Sequence, residues 1–170
     1  RVVELQGTVG SAPANDRMKG FKEILGQDPR FAIVRSQSGD FTRAKGKEVM
    51  EAFLKAEGPG GIDVLFAEQQ TGGRGRHGRL WASPPGSNLY LSLARRFDGG
   101  LARLGGLSLV VGIAAADALH ALGAHSVRVK WPNDLVVDDG DSLRKIGGVL
   151  IEGGTQDGRP RAVIGLGLNV

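Results

Sequence analysis

The stretch that decides the fold is residues 62–94, "IDVLFAEQQTGGRGRHGRLWASPPGSNLYLSLA". It opens on the dense apolar run "IDVLFA", which reads as a strand covered on both faces. It closes on "NLYLSLA", whose alternation reads as a strand with one covered face. Between them Gly73, Gly75 and Gly78 stand in the spacing G-x-G-x-x-G, and Arg74, Arg76 and Arg79 fill the gaps. Upstream of this stretch the chain alternates strand and helix; downstream it runs through hairpins. Here a parallel sheet is expected to give way to antiparallel pairing.

Working upstream, "RVVEL" and "FAIV" read as short strands. Asn15 is expected to cap a first helix carrying Met18, Phe21, Ile24 and Leu25 and stopped by Gly26. A second helix starts near Asp40 or Thr42, carries Val49, Phe53 and Leu54, and stops at Gly58-Pro59-Gly60-Gly61. The order βαβαβ implies parallel strands joined by right-handed crossovers. Working downstream, a long helix is expected from about Leu101 to Leu122. After it come "VRVKW", "LVV", "KIGGVLIEG" and "RAVIGLGLN", with the turn signals "DDGD" and "TQDGRP", a pattern that implies antiparallel strands. The fold class expected is α/β with α+β character: a parallel βαβαβ segment joined to a mixed or antiparallel sheet with one long helix.

Composition narrows the function classes. The chain has 170 residues with 41% hydrophobic content, enough for a buried core. It has no cysteine, which excludes a disulfide scaffold, a thiolate zinc site and a cysteine nucleophile. Its three histidines, His77, His120 and His125, lack metal-ligand spacing, and no metal site built from protein ligands alone is expected. The run "LSLVVGIAAADAL" is interrupted by Asp117 and short for a bilayer, and the strand-like start is no signal peptide. The location expected is cytoplasmic. Net charge is only +4, but Gly72 to Arg96 holds five arginines and no acid, a local anion-attracting segment. Up to Ala67 the chain has five lysines and five arginines; beyond it there are two lysines and ten arginines. That shift suggests two histories joined near Ala67 and Glu68.

The glycine-arginine loop imitates two nucleotide motifs and satisfies neither. A dinucleotide fingerprint opens a helix at its last glycine, whereas "LWASPPG" follows here. A P-loop ends in Gly-Lys-Ser or Gly-Lys-Thr, which is missing. What remains is backbone able to approach a ligand closely and planar, bidentate cations suited to phosphate or carboxylate. Further on, "KWPND" (130–134) sets Lys130 and Asp134 on a proline-fixed turn. "RKIGGVLIE" (144–152) places Lys145 ahead of two strand glycines, and "IGLGLNV" (164–170) ends on Asn169 and Val170. Glycines in strands mark bulges or close approach of a ligand.

Taken together, "AEQQTGGRGRHGRLWASPPGSNLYLSL", "VRVKWPNDLVV", "RKIGGVLIE" and "VIGLGLNV" resemble the catalytic core of biotin–protein ligases over roughly residues 66–170. The resemblance implies adenylation of biotin with Mg-ATP, then transfer of the biotinyl group to a lysine of a biotin carboxyl carrier domain. It implies that Gln70 binds the biotin ring system beside a wall formed by Gly147, Gly148, Gly165 and Gly167, and that Thr42 stands in for a hydroxyl of the family's Ser-Thr-Asn signature or serves only as a helix cap. Arg74, Arg76 and Arg79 then order the loop over the adenylate. Lys145 holds phosphate and carboxylate oxygens, Trp81 packs by the adenine, and Asn169 lies near the nucleotide. Asp134 orients or deprotonates the incoming amine, supported by Lys130. Neither nucleic acid nor membrane is an expected partner, and a homodimer is compatible with the reading.

The first segment departs from that pattern. "ELQGTVGSAPANDRMKGFKEIL" and "SQSGDFTRAKGKEVMEAFLKAEG" resemble one lobe of periplasmic sugar-binding proteins of the ribose and galactose type, over about residues 1–67. In that family Asn15 and Arg17 lie near the sugar cleft, but the second lobe and hinge have no counterpart here. The sequence closes at "GLGLNV", where ligases continue with further strands and a small C-terminal barrel. The expectation is a recombined, truncated chain: residues 1–67 from a sugar-binding protein, residues 68–170 from a ligase core, packed as one globular unit. Its leading reading is a biotin–protein ligase module impaired by the exchange. The alternatives are an engineered chimeric scaffold that folds without catalysis, and a sugar-binding remnant.

Overall fold

In a computed structural model describing residues 1–169, the chain divides into two compact units, Arg1–Leu93 and Ala94–Val170. The closing Val170 of the last motif lies outside the described residues.

The first unit holds β1 (Val2–Gln6), α1 (Ala12–Leu25), β2 (Ile33–Ser38), α2 (Arg43–Glu57), β3 (Val64–Ala67) and β4 (Asn88–Arg96), the last as far as Leu93. Its strands run in the order β2-β1-β3-β4. β1 pairs in parallel with both β2 and β3, as the βαβαβ pattern predicts. β3 then pairs antiparallel with β4, Val64 opposite Leu93 and Ala67 opposite Tyr90. Stretch 62–94 is therefore the place where strand direction changes. Val3 of β1 and Val49 and Phe53 of α2 form a core cluster, with Leu5, Val34, Ile62 and Leu65 against it. Each such fully buried side chain is worth about 1.5–3 kcal/mol. The spacing of Val49 and Phe53, one helical turn apart, puts both on the face turned to the sheet. On α1, the Phe21 ring stacks on Phe66 of β3 at 4.7 Å between centroids.

Helix limits follow local chemistry. Thr42 caps α2, its Oγ1 accepting the Lys45 N–H at 3.2 Å, and Gly58 ends the helix at φ 71°. α1 begins earlier than the sequence suggests: the N-cap position is Ser11, not Asn15, which lies inside the first turn. Pro13 explains the shift, since proline is favoured in the first turn, where its missing N–H has no helical partner to lose.

The second unit holds α3 (Leu107–Ala121), β5 (Val127–Lys130), β6 (Asp134–Asp138), β7 (Leu143–Gln156) and β8 (Arg159–Asn169). Neighbouring strands are antiparallel throughout, in the order β8-β7-β6-β5. The expected long helix is broken: Leu101–Leu104 is a separate 3-10 turn, and Gly106 sits at φ 78° before α3 starts. By length and composition Leu101–Ala121 as one run is apolar enough to cross a membrane. The break leaves α3 with 15 residues, roughly 22 Å against the ~30 Å of a hydrocarbon core. α3 buries Gly112 and Ala116. A Cβ on Gly112 would sit 3.3 Å from Val129 Cγ1, so the small residues let helix and β5 approach. Beneath them Val127, Leu135, Val136, Val149, Ala162, Ile164 and Leu168 form the buried apolar layer of this unit.

Candidate functional site

The arginine loop of the first unit is a tight hairpin. Arg74 bridges Leu80, the Gly75 N–H donates to Arg79 O at 2.7 Å, and the Trp81 N–H donates to Gly73 O at 3.0 Å. At the tip Arg76–Gly78 form a 3-10 turn, with His77 at φ 57° and Gly78 at φ 73°. No helix opens at Gly78, which is why the loop fails as a dinucleotide fingerprint. Gly73 is needed for the close approach, because a Cβ there would lie 2.9 Å from Gln70 Oε1 and 3.0 Å from Trp81 O. The closure leaves Arg74, Arg76 and Arg79 exposed, with Trp81 half-buried. Three guanidinium groups on so short a hairpin make a concentrated positive surface suited to a phosphate.

Beside the base of this hairpin is a cavity of about 300 Å³ whose walls include Gln6, Phe41, Thr42, Gln69, Gln70 and Tyr90. Its size is at the small end of the range for small-molecule sites, and its polar amides and hydroxyls mixed with apolar side chains can orient a compact cyclic ligand. Thr42 and Gln70, both expected to meet ligand, line it together. Thr42 is also engaged as the α2 cap. Gln70 is held through its backbone, its N–H donating to Ser83 Oγ at 2.8 Å.

A buried polar cluster escaped the sequence reading. Glu68 is only 1% exposed, yet its carboxylate meets the Arg17 guanidinium at 3.3 Å. Arg17 also donates to the Gly86 carbonyl. Burial pushes the Glu68 carboxyl above its ordinary 4.5; the Gly7 N–H and then Arg17 pull it back, and the neighbouring Glu4 carboxylate adds to the rise. Glu4, equally buried, accepts from Gln6 Nε2 at 3.0 Å and from Ser36 Oγ. The guanidinium of Arg17, expected near a sugar cleft, is thus committed to Glu68 and Gly86. Asn15 is exposed on α1.

The second unit assembles the other expected residues. Lys145 Nζ donates to Asp134 Oδ1 at 2.6 Å, across the β6–β7 ladder. Lys130 stands opposite Asp134 in the β5–β6 register. The turn between is pinned on two sides. Asn133 Nδ2 donates to Val149 O at 2.9 Å and the Val149 N–H returns to Asn133 O at 2.8 Å, while Ser108 Oγ donates to Pro132 O at 3.0 Å. The strand glycines have a packing reason. A Cβ on Gly147 would lie 2.8 Å from Gly167 O, and one on Gly148 would lie 3.4 Å from Lys145 Nζ. Gly165 and Gly167 face Leu150 and Gly148 in the β7–β8 ladder, and Asn169 ends β8 exposed. Gly148 and Gly167, paired across the ladder, leave a patch of main chain without side chains beside the ammonium–carboxylate pair, while Gly147 turns the other way, towards Leu135 and Leu168. Such a patch can accept a flat ligand against main chain, and the ammonium beside it favours an anionic one. Among the described residues no three His, Cys, Asp or Glu side chains gather as a metal site.

The model of the Biotin/lipoate A/B protein ligase family matches residues 38–169. The bifunctional ligase/repressor BirA of Escherichia coli is 52% identical over 110 residues, covering 64% of this chain and 33% of BirA. The galactofuranose-binding protein YtfQ of the same organism is 66% identical over 67 residues, covering 39% of this chain and 21% of YtfQ. The structure of a biotin protein ligase from Leishmania major in complex with biotinyl-5-AMP aligns with a TM-score of 0.50 at 27% identity, over 73% of this chain and 51% of that one. The chain thus spans about a third of BirA's length and a fifth of YtfQ's.

Proposed function

Because the chain belongs to the biotin/lipoate A/B protein ligase family, we propose that it is a biotin–protein ligase module, joining biotin to AMP and then to a carrier-domain lysine. The observation that carries this reading is the Lys145–Asp134 pair held at 2.6 Å beside Gly147 and Gly148. Attack of a carboxylate oxygen on the α-phosphorus of ATP forms a mixed anhydride and expels pyrophosphate. The lysine amine then attacks the biotinyl carbonyl, and AMP leaves with the bonding pair. Neither step needs a nucleophile from the protein, which suits a chain without cysteine. Both steps gather negative charge on phosphate oxygens, so positioned cations do most of the work.

In this reading Lys145 holds the biotin carboxylate and α-phosphate oxygens. Arg74, Arg76 and Arg79 neutralise the phosphates, Trp81 packs against the adenine, and Asn169 lies by the nucleotide. Gln70 and Thr42 contact the biotin ring system in the first unit, and Gly147, Gly148, Gly165 and Gly167 serve as backbone wall in the second. Asp134, assisted by Lys130, takes up the proton of the incoming amine. Mg²⁺ arrives on the nucleotide, because such ions bind chiefly through phosphates and one or two carboxylates. Action in the cytoplasm on biotin and a biotin carboxyl carrier domain, without nucleic acid or membrane, is part of the same proposal.

We further propose that the chain is a chimera, sugar-binding-protein-like in residues 1–67 and ligase-like in 68–170, and that the exchange lowers its activity. Thr42 supports this, because its hydroxyl already serves α2. The same observation favours the second reading, a folded scaffold without turnover. The test is incubation with biotin, Mg-ATP and a carrier domain, followed by mass spectrometry for biotinyl-adenylate and biotinylated lysine. Turnover lost in Arg76→Ala and Lys145→Ala supports the assignments; product from neither step, with no biotin heat in calorimetry, leaves the scaffold.

A further inference from the structure

The wall of the 300 Å³ cavity contains an unusual piece of backbone. Asp40 and Phe41 are consecutive, neither is glycine, and both lie in the left-handed region at φ 51° and 50°. That conformation is costly for residues with a Cβ and persists only where the surroundings impose it. Here they do. The Gly39 N–H donates to Gln6 O at 2.9 Å and the Thr42 N–H to Gly39 O at 3.0 Å. Ser38 Oγ donates to Gly7 O at 2.6 Å while accepting the Asp40 N–H at 3.0 Å. The turn is stitched to the end of β1 at two points, Gln6 O and Gly7 O, and it carries the Phe41 ring.

That ring stands where a side chain on Gly7 would be. A Cβ on Gly7 would lie 2.0 Å from Phe41 Cζ and 2.4 Å from Cε1, closer than any real contact. Gly7 is not at positive φ, so its lack of a side chain serves space, not backbone conformation. One part of the ring fills the slot over Gly7 and another lines the cavity. We propose that Phe41 is the specificity-determining wall of this cavity, and that the lack of a side chain on Gly7 sets how far the wall stands back. With the ring seated over Gly7 the wall is withdrawn and the cavity admits a compact ring system. With a side chain at position 7 the ring moves into the cavity and excludes it. The identity of the ligand as biotin rests on the function proposed above; the coupling between Gly7 and Phe41 does not.

The test uses Gly7→Ala, Phe41→Ala and the double variant in the full chain, with biotin titrated by calorimetry and ring contacts followed by nuclear Overhauser effects. Gly7→Ala should weaken biotin about tenfold or more, as overpacking of a filled site does. Its ring protons should lose their contacts to Gly7 backbone and gain contacts to Tyr90 or Gln70. Adding Phe41→Ala should recover at least most of that loss, which a merely destabilised fold would not do. Unchanged biotin affinity in Gly7→Ala, or no recovery in the double variant, overturns the proposal. If the unsubstituted chain binds no biotin, the ligase reading is what fails. The ring contacts then decide: displacement toward the cavity in Gly7→Ala sustains the wall, and a ring that stays in place overturns it.

Discussion

Replacing Arg17 with methionine removes the guanidinium paired with Glu68 while keeping most of the apolar stem. Glu68 is 1% exposed, so water cannot take over the role of the guanidinium. Breaking a buried ion pair from one side costs about 3–5 kcal/mol. The Arg17 side chain is 23% exposed and partly solvated, which argues for the low end, about 3 kcal/mol including the lost bond to Gly86 O. For a chain of this length that lowers Tm by about 6–12 °C. The effect has a pH signature. Burial already raises the folded-state value of Glu68 above 4.5, and Arg17 is one of the groups opposing the rise. Below 4.5 the carboxyl is protonated folded and unfolded, and the charge part of the penalty vanishes, leaving the lost bond to Gly86 O. As pH climbs from 4.5 towards the raised folded value, the unfolded chain releases a proton that the folded state still holds, and stability falls until the folded carboxyl ionises too. Without Arg17 that value rises further. The gap between variant and parent should therefore be small near pH 4.5 and widen towards pH 8. Urea melts at several pH values measure it. Adding Glu68→Gln to Arg17→Met should return most of the loss. A gap independent of pH, or no recovery in the double variant, refutes the reasoning.

Three other outcomes are expected. Gly147→Ala brings a methyl to 2.8 Å from the Gly167 carbonyl and Leu168 Cδ2, so thermal melts should show a loss of about 1–3 kcal/mol. Thr42→Ala should cost about 1 kcal/mol in urea denaturation through the lost cap, with Thr42→Ser recovering most of it. Lys145→Met should leave stability within about 1 kcal/mol, because the Lys145–Asp134 pair is solvated. The same variant should abolish adenylate formation, so a large stability loss in melts would mean that the lysine is structural.

Much of this was legible in the sequence where the signal is local. The βαβαβ order, the Thr42 cap, the Gly58 stop and the hairpins after "DDGD" and "TQDGRP" are all carried by neighbours in the chain. Local chemistry also misled. Asn15 is a good cap residue, but Ser11 ahead of Pro13 occupies the N-cap position, and the Gly105-Gly106 pair breaks a run whose apolar content reads as one helix. Of the candidate site, Lys145 and Asp134 stood out as charges in strand context, and they meet. What could not be read is what depends on distance along the chain. Arg17 and Glu68 are 51 residues apart, and nothing in "NDRMKG" or "AEQQ" says that they pair in a buried place. Nor does "SGDFT" reveal two left-handed residues in succession, since aspartate and phenylalanine adopt that conformation only when the surrounding fold holds them there.

The placement of β3 also governs the order in which the first unit can be completed during synthesis. β3 lies between β1, made some sixty residues earlier, and β4, made some twenty-five residues later. A nascent chain released only as far as Ala67 can form the three parallel strands, but it presents one edge of β3 bare, along "VLFA". Bare apolar edges are where newly made chains adhere to one another. The arginine hairpin sits in the segment that delays the cover. Its "GRGRHGR" carries positive charge and glycine beside the exposed edge until Asn88–Leu93 arrive, and such residues discourage strand association between chains. A loop suited to anions in the finished protein is also, for the time it takes to make the next strand, a guard on the edge behind it.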